Sequence, residues 1–203
     1  MKEMMKNTGI LLAITVIAGL ILGLVYQTTK DTISAREEAD KKAAYLEVFT
    51  DAKDFNALDD VMNDINRAVL DAAGYDQESI DEVLEAVDDS NNVLGYVFAV
   101  TTKEGYGGDI KFTVGIRNDG TVNGVSILSI NETAGLGMNA EKVLKPQFAG
   151  KQVGQFVYTK TGATSDNEID AISGATITTN AFTNGVNCAL TYFNEVLGGG
   201  NNE

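Results

Sequence analysis

The feature that most constrains this chain is an uncharged apolar run near its amino end. The run extends from Gly9 to Val25, and its neighbours Thr8 and Tyr26 lengthen it to 19 uncharged residues. As a helix it is roughly 28 Å long, which matches the hydrocarbon core of a bilayer. A cleaved signal peptide is the alternative, but signal cores are usually shorter and no small-residue cleavage site follows. We therefore predict a transmembrane helix over residues 9–26, after an amino-terminal tail of residues 1–8.

Acidic residues are concentrated directly after this run. The chain has 15 Lys+Arg and 29 Asp+Glu, so its net charge is −14. Nucleic-acid binding requires a basic surface, and this balance excludes it. Residues 31–92 alone hold 18 acidic and 5 basic side chains. We interpret the segment as a solvated helical surface; a docking or cation-collecting surface is the alternative.

The side chains that usually carry catalysis are scarce. The chain has no histidine and a single cysteine. Ser-His-Asp and Cys-His nucleophiles, His-ligated zinc or haem, an internal disulfide and a Cys-held iron–sulfur cluster are therefore excluded within this chain. We expect no catalytic side chain and no metal site, and hence a cofactor carrier or a binding module. Cys188 is expected to be a small, half-buried thiol without a function.

Hydrophobic periodicity predicts two helices after the anchor. The first covers residues 31–49 and continues from the transmembrane helix. The second runs from Phe55 to Ala73 and is ended by Gly74, because apolar residues recur there at spacings of three and four. This stripe consists of Phe55, Leu58, Met62, Ile65 and Val69.

The remaining chain alternates with a period near two and then returns to a helical pattern. Four strands, at residues 82–87, 93–102, 110–116 and 122–130, are predicted to form an antiparallel meander. A short helix at Asn139–Lys145, ended by Pro146, precedes a strand at Phe156–Lys160. The last helix runs from Thr178 to Leu197, and the glycines at 198–200 end it. Its apolar face consists of Phe182, Val186, Leu190, Phe193 and Leu197.

These elements predict an α+β architecture with one membrane anchor. We assign residues 27–79 to an acidic helical stalk and residues 80–197 to a compact domain with an antiparallel sheet and a carboxy-terminal helix. Residues 198–203 are expected to form a flexible tail.

The most informative motif stands just before the last helix and reads Asp170-Ala171-Ile172-Ser173-Gly174-Ala175-Thr176. Small residues before a helix amino end expose N–H groups and the positive end of the helix dipole, which together favour an anion. Thr176 places a hydroxyl beside this position. The residues alone allow a non-covalently held phosphate, a phosphorylated threonine or a simple helix cap.

The motif resembles the flavin-attachment motif of FMN-binding domains in the Rnf and Na⁺-translocating NADH:quinone oxidoreductase complexes. The resemblance implies that Thr176 carries one FMN through a phosphoester bond, which a flavin transferase forms with FAD as donor. Asp170, Ser173, Gly174 and Ala175 fall on the other motif positions.

Two further segments resemble the same family. Residues 105–110 resemble its Gly-Tyr-x-Gly-x-Ile segment, and residues 132–137 its Glu-Thr-Pro-Gly-Leu-Gly segment. Ala134 replaces the usual proline, so we expect a looser turn there. The resemblance implies that these segments frame the flavin; the candidate cofactor-binding residues are Tyr106, Gly107, Glu132, Thr133, Gly135, Leu136 and Gly137. The alternative is that the glycines only permit tight turns.

A second Gly-Ala-Thr stretch ends at Thr164. The family pattern requires an acid six residues before the acceptor; Thr176 has Asp170 there, whereas Thr164 has Tyr158. We therefore predict that Thr164 carries no flavin and that its stretch is a loop.

The chain as a whole resembles the G subunit of the Rnf complex. The resemblance implies an electron carrier in a ferredoxin:NAD⁺ oxidoreductase coupled to Na⁺ or H⁺ transport, with other membrane subunits as partners. It also implies that the flavin domain lies outside the cytoplasmic membrane, whereas the flanking charges leave the orientation open. The alternatives are a carrier like the C subunit of the Na⁺-translocating NADH:quinone oxidoreductase, a free-standing anchored flavoprotein, and a non-redox binding module or phosphate sensor.

Overall fold

The first helix contains the whole segment that is predicted to be the membrane anchor. A computed structural model describes residues 1–59, 61 and 63–199. Helix α1 extends without a break over Lys2–Val48. It includes the segment predicted as a transmembrane helix, the predicted helix that follows, and most of the expected amino-terminal tail. It is long and apolar enough to cross a membrane, and its most apolar stretch is wholly exposed.

The chain divides into two compact units, residues 1–41 and residues 42–203. The first unit contains only helix α1. The second contains the end of α1 and all later elements of the described chain: β1 (Asp54–Ala57), α2 (Asp64–Ala72), β2 (Glu78–Val87), β3 (Val93–Thr102), β4 (Ile110–Arg117), β5 (Val122–Ser129), a 3₁₀ helix (Gly137–Asn139), α3 (Ala140–Val143), α4 (Lys145–Phe148), β6 (Val157–Thr159), β7 (Glu168–Asp170) and α5 (Thr176–Glu195). Residues 42–79, predicted as part of a helical stalk, therefore include strand β1 and the start of β2, and they belong to this unit.

The predicted antiparallel meander is confirmed and gains a fifth strand. The sheet has the order β1-β2-β3-β4-β5, with antiparallel neighbours throughout. The turn between β4 and β5 contains Gly120 at a φ of +84°, where a residue without a Cβ has no steric cost. Together with the first and last helices, this sheet confirms the α+β fold class.

The predicted helix from Phe55 to Ala73 is wrong in its first half. Phe55 lies in β1 opposite Ala86, and helix α2 begins only after Asn63, whose side chain accepts the Asn66 N–H at 2.9 Å. Ile65 is 76% exposed although the stripe predicted its burial. The predicted stripe combined residues of strand β1 with residues of helix α2, because the apolar residues of both elements fall at the same helical spacing.

The end of that helix is predicted correctly. Gly74 follows α2 at a φ of +90°, and its N–H donates to the Asp71 carbonyl at 3.1 Å. Leu70, which lies outside the predicted stripe, is fully buried. Met62 of the stripe lies outside the described residues.

Pro146 does not end a helix. It lies in the first turn of α4, where a missing N–H costs no intrahelical bond. The predicted strand near residues 156–160 is confirmed as β6, which pairs in parallel with β7, a strand absent from the sequence prediction. The stretch ending at Thr164 is a loop between them, as predicted.

Helix α5 covers one face of the sheet. Four of its five predicted apolar residues, at positions 182, 186, 190 and 193, are buried. Phe182 stacks on Phe112 of β4 with ring centroids 4.4 Å apart. Leu197 follows the end of the helix and packs against the same core. Gly198 has a φ of +69°, and residues 200–203 of the predicted tail lie outside the described residues.

The prediction of a half-buried Cys188 is wrong. Its side chain is fully buried on the face of α5 that packs into the core, and burial raises its pKa to about 12. The helix buries a wider arc than its largest apolar residues indicate, because small residues such as Ala189 also pack inward.

The opposite face of the sheet holds the end of α1. Tyr45, Val48 and Phe49 pack there against strands β2 and β3. The Glu47 carboxylate accepts hydrogen bonds from Lys145 at 2.5 Å and from the Ser126 hydroxyl. The sheet is therefore covered on both faces, by α5 on one and by the end of α1 on the other.

Candidate functional site

The three segments singled out in the sequence meet at one cleft. Its volume is about 550 Å³, which is in the range of small-molecule and cofactor sites. The residues that line it are Tyr106, Glu132, Thr133, Leu136, Gly137, Gly174, Ala175, Thr176, Ile177 and Thr178. These segments are far apart in sequence, and the sheet together with α5 brings them together.

A nearly buried carboxylate joins all three segments. Glu132 is 9% exposed. Its Oε1 accepts the Gly107 N–H at 3.2 Å, and its Oε2 accepts the Thr178 hydroxyl at 3.0 Å. Each oxygen therefore binds a different segment, so this one side chain sets the spacing between two loops and the start of α5.

Gly137 allows the close packing around this carboxylate. A Cβ at Gly137 would lie 2.6 Å from the Thr178 Oγ1 and 2.8 Å from the Glu132 Oε2. These separations are shorter than real Cβ contacts. Glycine is therefore required here for space.

The loop at residues 133–136 forms a closed turn. The Leu136 N–H donates to the Thr133 carbonyl at 3.1 Å, and Gly135 has a φ of +76°. This hydrogen bond and the glycine define the turn at Ala134 without a proline, and a looser turn than the proline would give stays a prediction.

The amino end of α5 points an array of N–H groups at the cleft wall. Ala175 is the N-cap residue and makes no side-chain capping bond. The N–H groups of the first helical turn, from Thr176 to Thr178, have no intrahelical acceptor. None of the residues that line the cleft is basic. Backbone N–H groups and the helix dipole therefore provide the attraction for an anion.

The three threonines of the first turn differ in their hydrogen bonding. Thr178 and Thr179 are buried, and both hydroxyls are engaged: Thr178 with Glu132, and Thr179 with the turn that precedes the helix. The Thr176 side chain is partly exposed in the cleft. No partner for its hydroxyl is found among residues 1–59, 61 and 63–199.

Thr164 has the opposite environment. Its N–H and its hydroxyl both donate to the Glu168 carboxylate, at 2.7 and 2.9 Å. These two hydrogen bonds hold the pKa of Glu168 below its usual value. Thr164 lies in a loop rather than at a helix start, so it has neither a free hydroxyl nor N–H groups arranged for an anion.

Four of the predicted site residues lie beside the cleft rather than in its wall. Gly107 acts through its N–H on Glu132, and Gly135 lies in the turn described above. Ser173 is exposed in the turn before α5. The Asp170 carboxylate points away, where it accepts the Ala163 N–H at 2.6 Å. The predicted contact of Asp170 with a cofactor thus has no support in its position.

Sequence reasoning missed Ile177 and Thr178 as lining residues. The last helix was predicted to start at Thr178, whereas it starts at Thr176. A start two residues earlier brings residues 177 and 178 into the first turn. The sequence signal that could have indicated this earlier start is the run of small residues that ends at Ala175. No helix-breaking residue follows directly after it, so a helix can begin at Thr176.

Comparisons with known proteins agree with this organisation. Residues 105–191 match the FMN-binding domain, and residues 1–48 match the RnfG N-terminal region. The first match contains every predicted site residue.

Among the relatives, three G subunits match over most of the chain. The G subunit of the Na⁺-translocating ferredoxin:NAD⁺ oxidoreductase complex of Acetobacterium woodii is 34% identical, over 93% of this chain and 91% of the relative. The G subunit of the ion-translocating oxidoreductase complex of Methanosarcina acetivorans is 30% identical, over 94% and 95%. The G subunit of the proton-translocating ferredoxin:NAD⁺ oxidoreductase complex of Clostridium ljungdahlii is 36% identical, over 68% and 75%. The crystal structure of Shewanella oneidensis NqrC aligns at 23% identity with a TM-score of 0.47, over 58% of this chain and 61% of that chain.

Proposed function

Since this chain belongs to the family of G subunits of Rnf-type ion-translocating oxidoreductase complexes, we propose that it relays electrons through one FMN bound covalently to Thr176. The coarser function follows from the family: the chain is a single-pass, membrane-anchored flavoprotein and an electron-transfer subunit of a ferredoxin:NAD⁺ oxidoreductase complex. Its partners are other subunits of that complex. Membership of this family favours the G subunit over two of the alternatives, a C subunit of the Na⁺-translocating NADH:quinone oxidoreductase and a non-redox binding module.

The observation that carries the covalent proposal is the position of the Thr176 hydroxyl. It is at the first residue of α5, in the cleft, without a partner in the described chain. An attached phosphodiester retains one negative charge, and the first-turn N–H groups are placed to receive it. A helix amino end stabilises such a charge by about 0.3–1 kcal/mol.

The cleft also suits the remainder of FMN. Its volume is sufficient for a cofactor of this size, and Leu136, Ile177 and the ring of Tyr106 provide apolar surface. When bound, FMN supplies the redox chemistry, which no side chain of this protein provides. The protein's own residues position it: the helix start holds the phosphate, and Glu132 holds the two loops at their distance from α5.

We also infer the cellular arrangement from this chemistry. A flavin bound only by contacts is lost by dilution outside the cytoplasm, whereas a covalent bond prevents its loss. This favours an extracytoplasmic domain, with Lys2 and Lys6 on the cytoplasmic side, an orientation that the flanking charges permit but do not require. A carboxy-terminal alkaline phosphatase fusion tests this orientation, because the enzyme is active only outside the cytoplasm. A flavin transferase with FAD as donor is the implied maturation partner.

Thr176 and Thr164 provide a matched pair for testing the attachment site. We would co-express the full chain with a flavin transferase and record flavin fluorescence after denaturing electrophoresis. We expect fluorescent bands for wild type and Thr164→Ala, and none for Thr176→Ala. A dark wild type beside a fluorescent positive control would refute covalent attachment. A dark Thr164→Ala beside a fluorescent Thr176→Ala would move the site to Thr164.

A further inference from the structure

We propose that Thr179 is a positioning residue for flavin attachment. Its buried hydroxyl fastens the turn before α5 to the first turn of the helix and thereby keeps the Thr176 hydroxyl in the orientation that transfer requires. This inference rests on the proposed attachment of FMN at Thr176. It assigns a role to a residue that lines no part of the cleft and lies three positions beyond the acceptor.

Thr179 makes three hydrogen bonds to the turn at residues 172–175. Its hydroxyl accepts the Ile172 N–H at 3.1 Å and donates to the Ala175 carbonyl at 2.9 Å. Its N–H donates to the same carbonyl at 3.0 Å. The side chain is fully buried, and both Ile172 and Ala175 are buried beside it.

The turn needs this support because its backbone does not continue the helix. Gly174 has a φ of +77°, and Ala175 has φ −131° and ψ 51°, which is outside the helical region. Helix geometry alone therefore does not dictate how the turn enters α5. Without the Thr179 hydroxyl, the buried Ile172 N–H has no acceptor, and the turn must move to hydrate it.

Movement of the turn is transmitted directly to the acceptor. Ala175 is bonded to Thr176, so a rotation of its carbonyl changes the direction of the Thr176 side chain and of the first N–H groups. The other two first-turn hydroxyls have different roles, since Thr178 binds Glu132 whereas the Thr176 hydroxyl has no partner among the described residues.

The transfer step is sensitive to such movement. A bond forms between the Thr176 Oγ1 and the FMN phosphorus of FAD, the pyrophosphate bond breaks, AMP leaves, and the hydroxyl proton is released. No electron is transferred in this step. The Thr176 oxygen must approach the phosphorus from the side opposite the leaving AMP. Small misplacements of reacting atoms have large effects on the reaction rate.

Valine at position 179 retains the size of threonine but has no hydroxyl, whereas serine retains the hydroxyl. Thr183 offers a matched control: it is also buried, and its hydroxyl donates to the Thr179 carbonyl of the same helix rather than to the turn before α5. Thr179→Val, Thr179→Ser and Thr183→Val together separate loss of the turn contact from loss of a buried helical hydroxyl.

The experiment measures the initial rate of covalent flavin incorporation into the full-length, flavin-free chain by a flavin transferase with FAD. The thermal midpoint of each variant is recorded, and labelling is performed below all of them. We expect Thr179→Val to be slower by about tenfold or more, as the loss of a buried hydrogen bond at the acceptor turn implies. Thr179→Ser and Thr183→Val should remain within about twofold of wild type.

The outcomes are distinct. Wild-type rates in Thr179→Val overturn the inference and leave Thr176 attachment intact. Equal slowing of Thr179→Val and Thr183→Val also overturns it, because the effect then belongs to the helix in general. Slow labelling of Thr179→Ser at an unchanged thermal midpoint does the same. An unlabelled wild type beside a labelled positive control refutes the proposed attachment of FMN at Thr176, and it therefore also refutes the positioning role of Thr179.

Discussion

Substitution of Gly137 by alanine tests whether the close packing of Gly137 against Thr178 and Glu132 stabilises the fold. The added Cβ would lie 2.6 Å from the Thr178 Oγ1 and 2.7 Å from the Glu132 Cβ. Both neighbours belong to one buried hydrogen bond, so neither moves without breaking it. Overpacking costs about 1–3 kcal/mol, and a hydrogen bond to a charged group contributes about 1.5–3 kcal/mol.

These two costs overlap, because the displacement that relieves the clash is the one that breaks the bond. We therefore expect the free energy of unfolding to fall by about 3 kcal/mol, which lowers the thermal midpoint by about 10 °C for a domain of this size. Near-ultraviolet circular dichroism of the full-length chain in detergent reports the loss of tyrosine packing. Flavin incorporation should fall as well, because Thr178 lies in the first turn of α5.

Gly154→Ala is the matched control. A Cβ at Gly154 meets nothing within 4 Å, and this substitution should change stability by less than about 0.5 kcal/mol. Combining Gly137→Ala with Thr178→Ala removes the nearest atom, so the double variant should lose less stability than the two single variants predict. Equal stability of Gly137→Ala and Gly154→Ala would refute the reasoning, and so would strict additivity in the double variant.

Three further predictions concern the core beneath the site. Phe182→Ala should lower the free energy of unfolding by about 3–5 kcal/mol in urea denaturation, since it removes the ring stacked on Phe112; a loss below about 1 kcal/mol would contradict the packing. The thiol of Cys188, with its pKa raised to about 12, should react with iodoacetamide at pH 8 on the order of 1,000-fold more slowly than in the unfolded chain; comparable rates would show an exposed thiol. Burial raises the pKa of Glu78, so its ionisation opposes folding above the unfolded-state pKa of about 4.3. Glu78→Gln should therefore stabilise the protein at pH 7, with the gain lost below about pH 4, and thermal midpoints at the two pH values test this.

The site segments were predictable because each resembles a short motif of the FMN-binding family, and such a motif is read from consecutive residues. Thr176 stands at a run of small residues before a helix, and this pattern needs no knowledge of distant contacts. The strands β3 to β5 are likewise predicted nearly to the residue, since apolar alternation and a turn signal at Gly120 lie within the strands themselves.

Residue roles that depend on a distant partner were not predictable. Asp170 belongs to the motif, yet its carboxylate binds the loop at Ala163, because β7 pairs with β6 and directs the side chain there. The bond from Thr178 to Glu132 joins positions 46 residues apart in the chain. No local pattern encodes such a contact.

The sequence by itself determined the apolar helix predicted as a membrane anchor, the antiparallel meander and the final helix, and it singled out Thr176 as the proposed acceptor. Each of these depends on hydrophobic spacing, a missing charge or a glycine within a short segment. Only the tertiary structure decided that Phe55 joins the sheet, that Cys188 is buried, and which threonine hydroxyl at the start of α5 has no partner in the described part of the chain. The physical reason is that burial and hydrogen bonding depend on which other residues lie close in space. The sheet brings together residues that are distant along the chain.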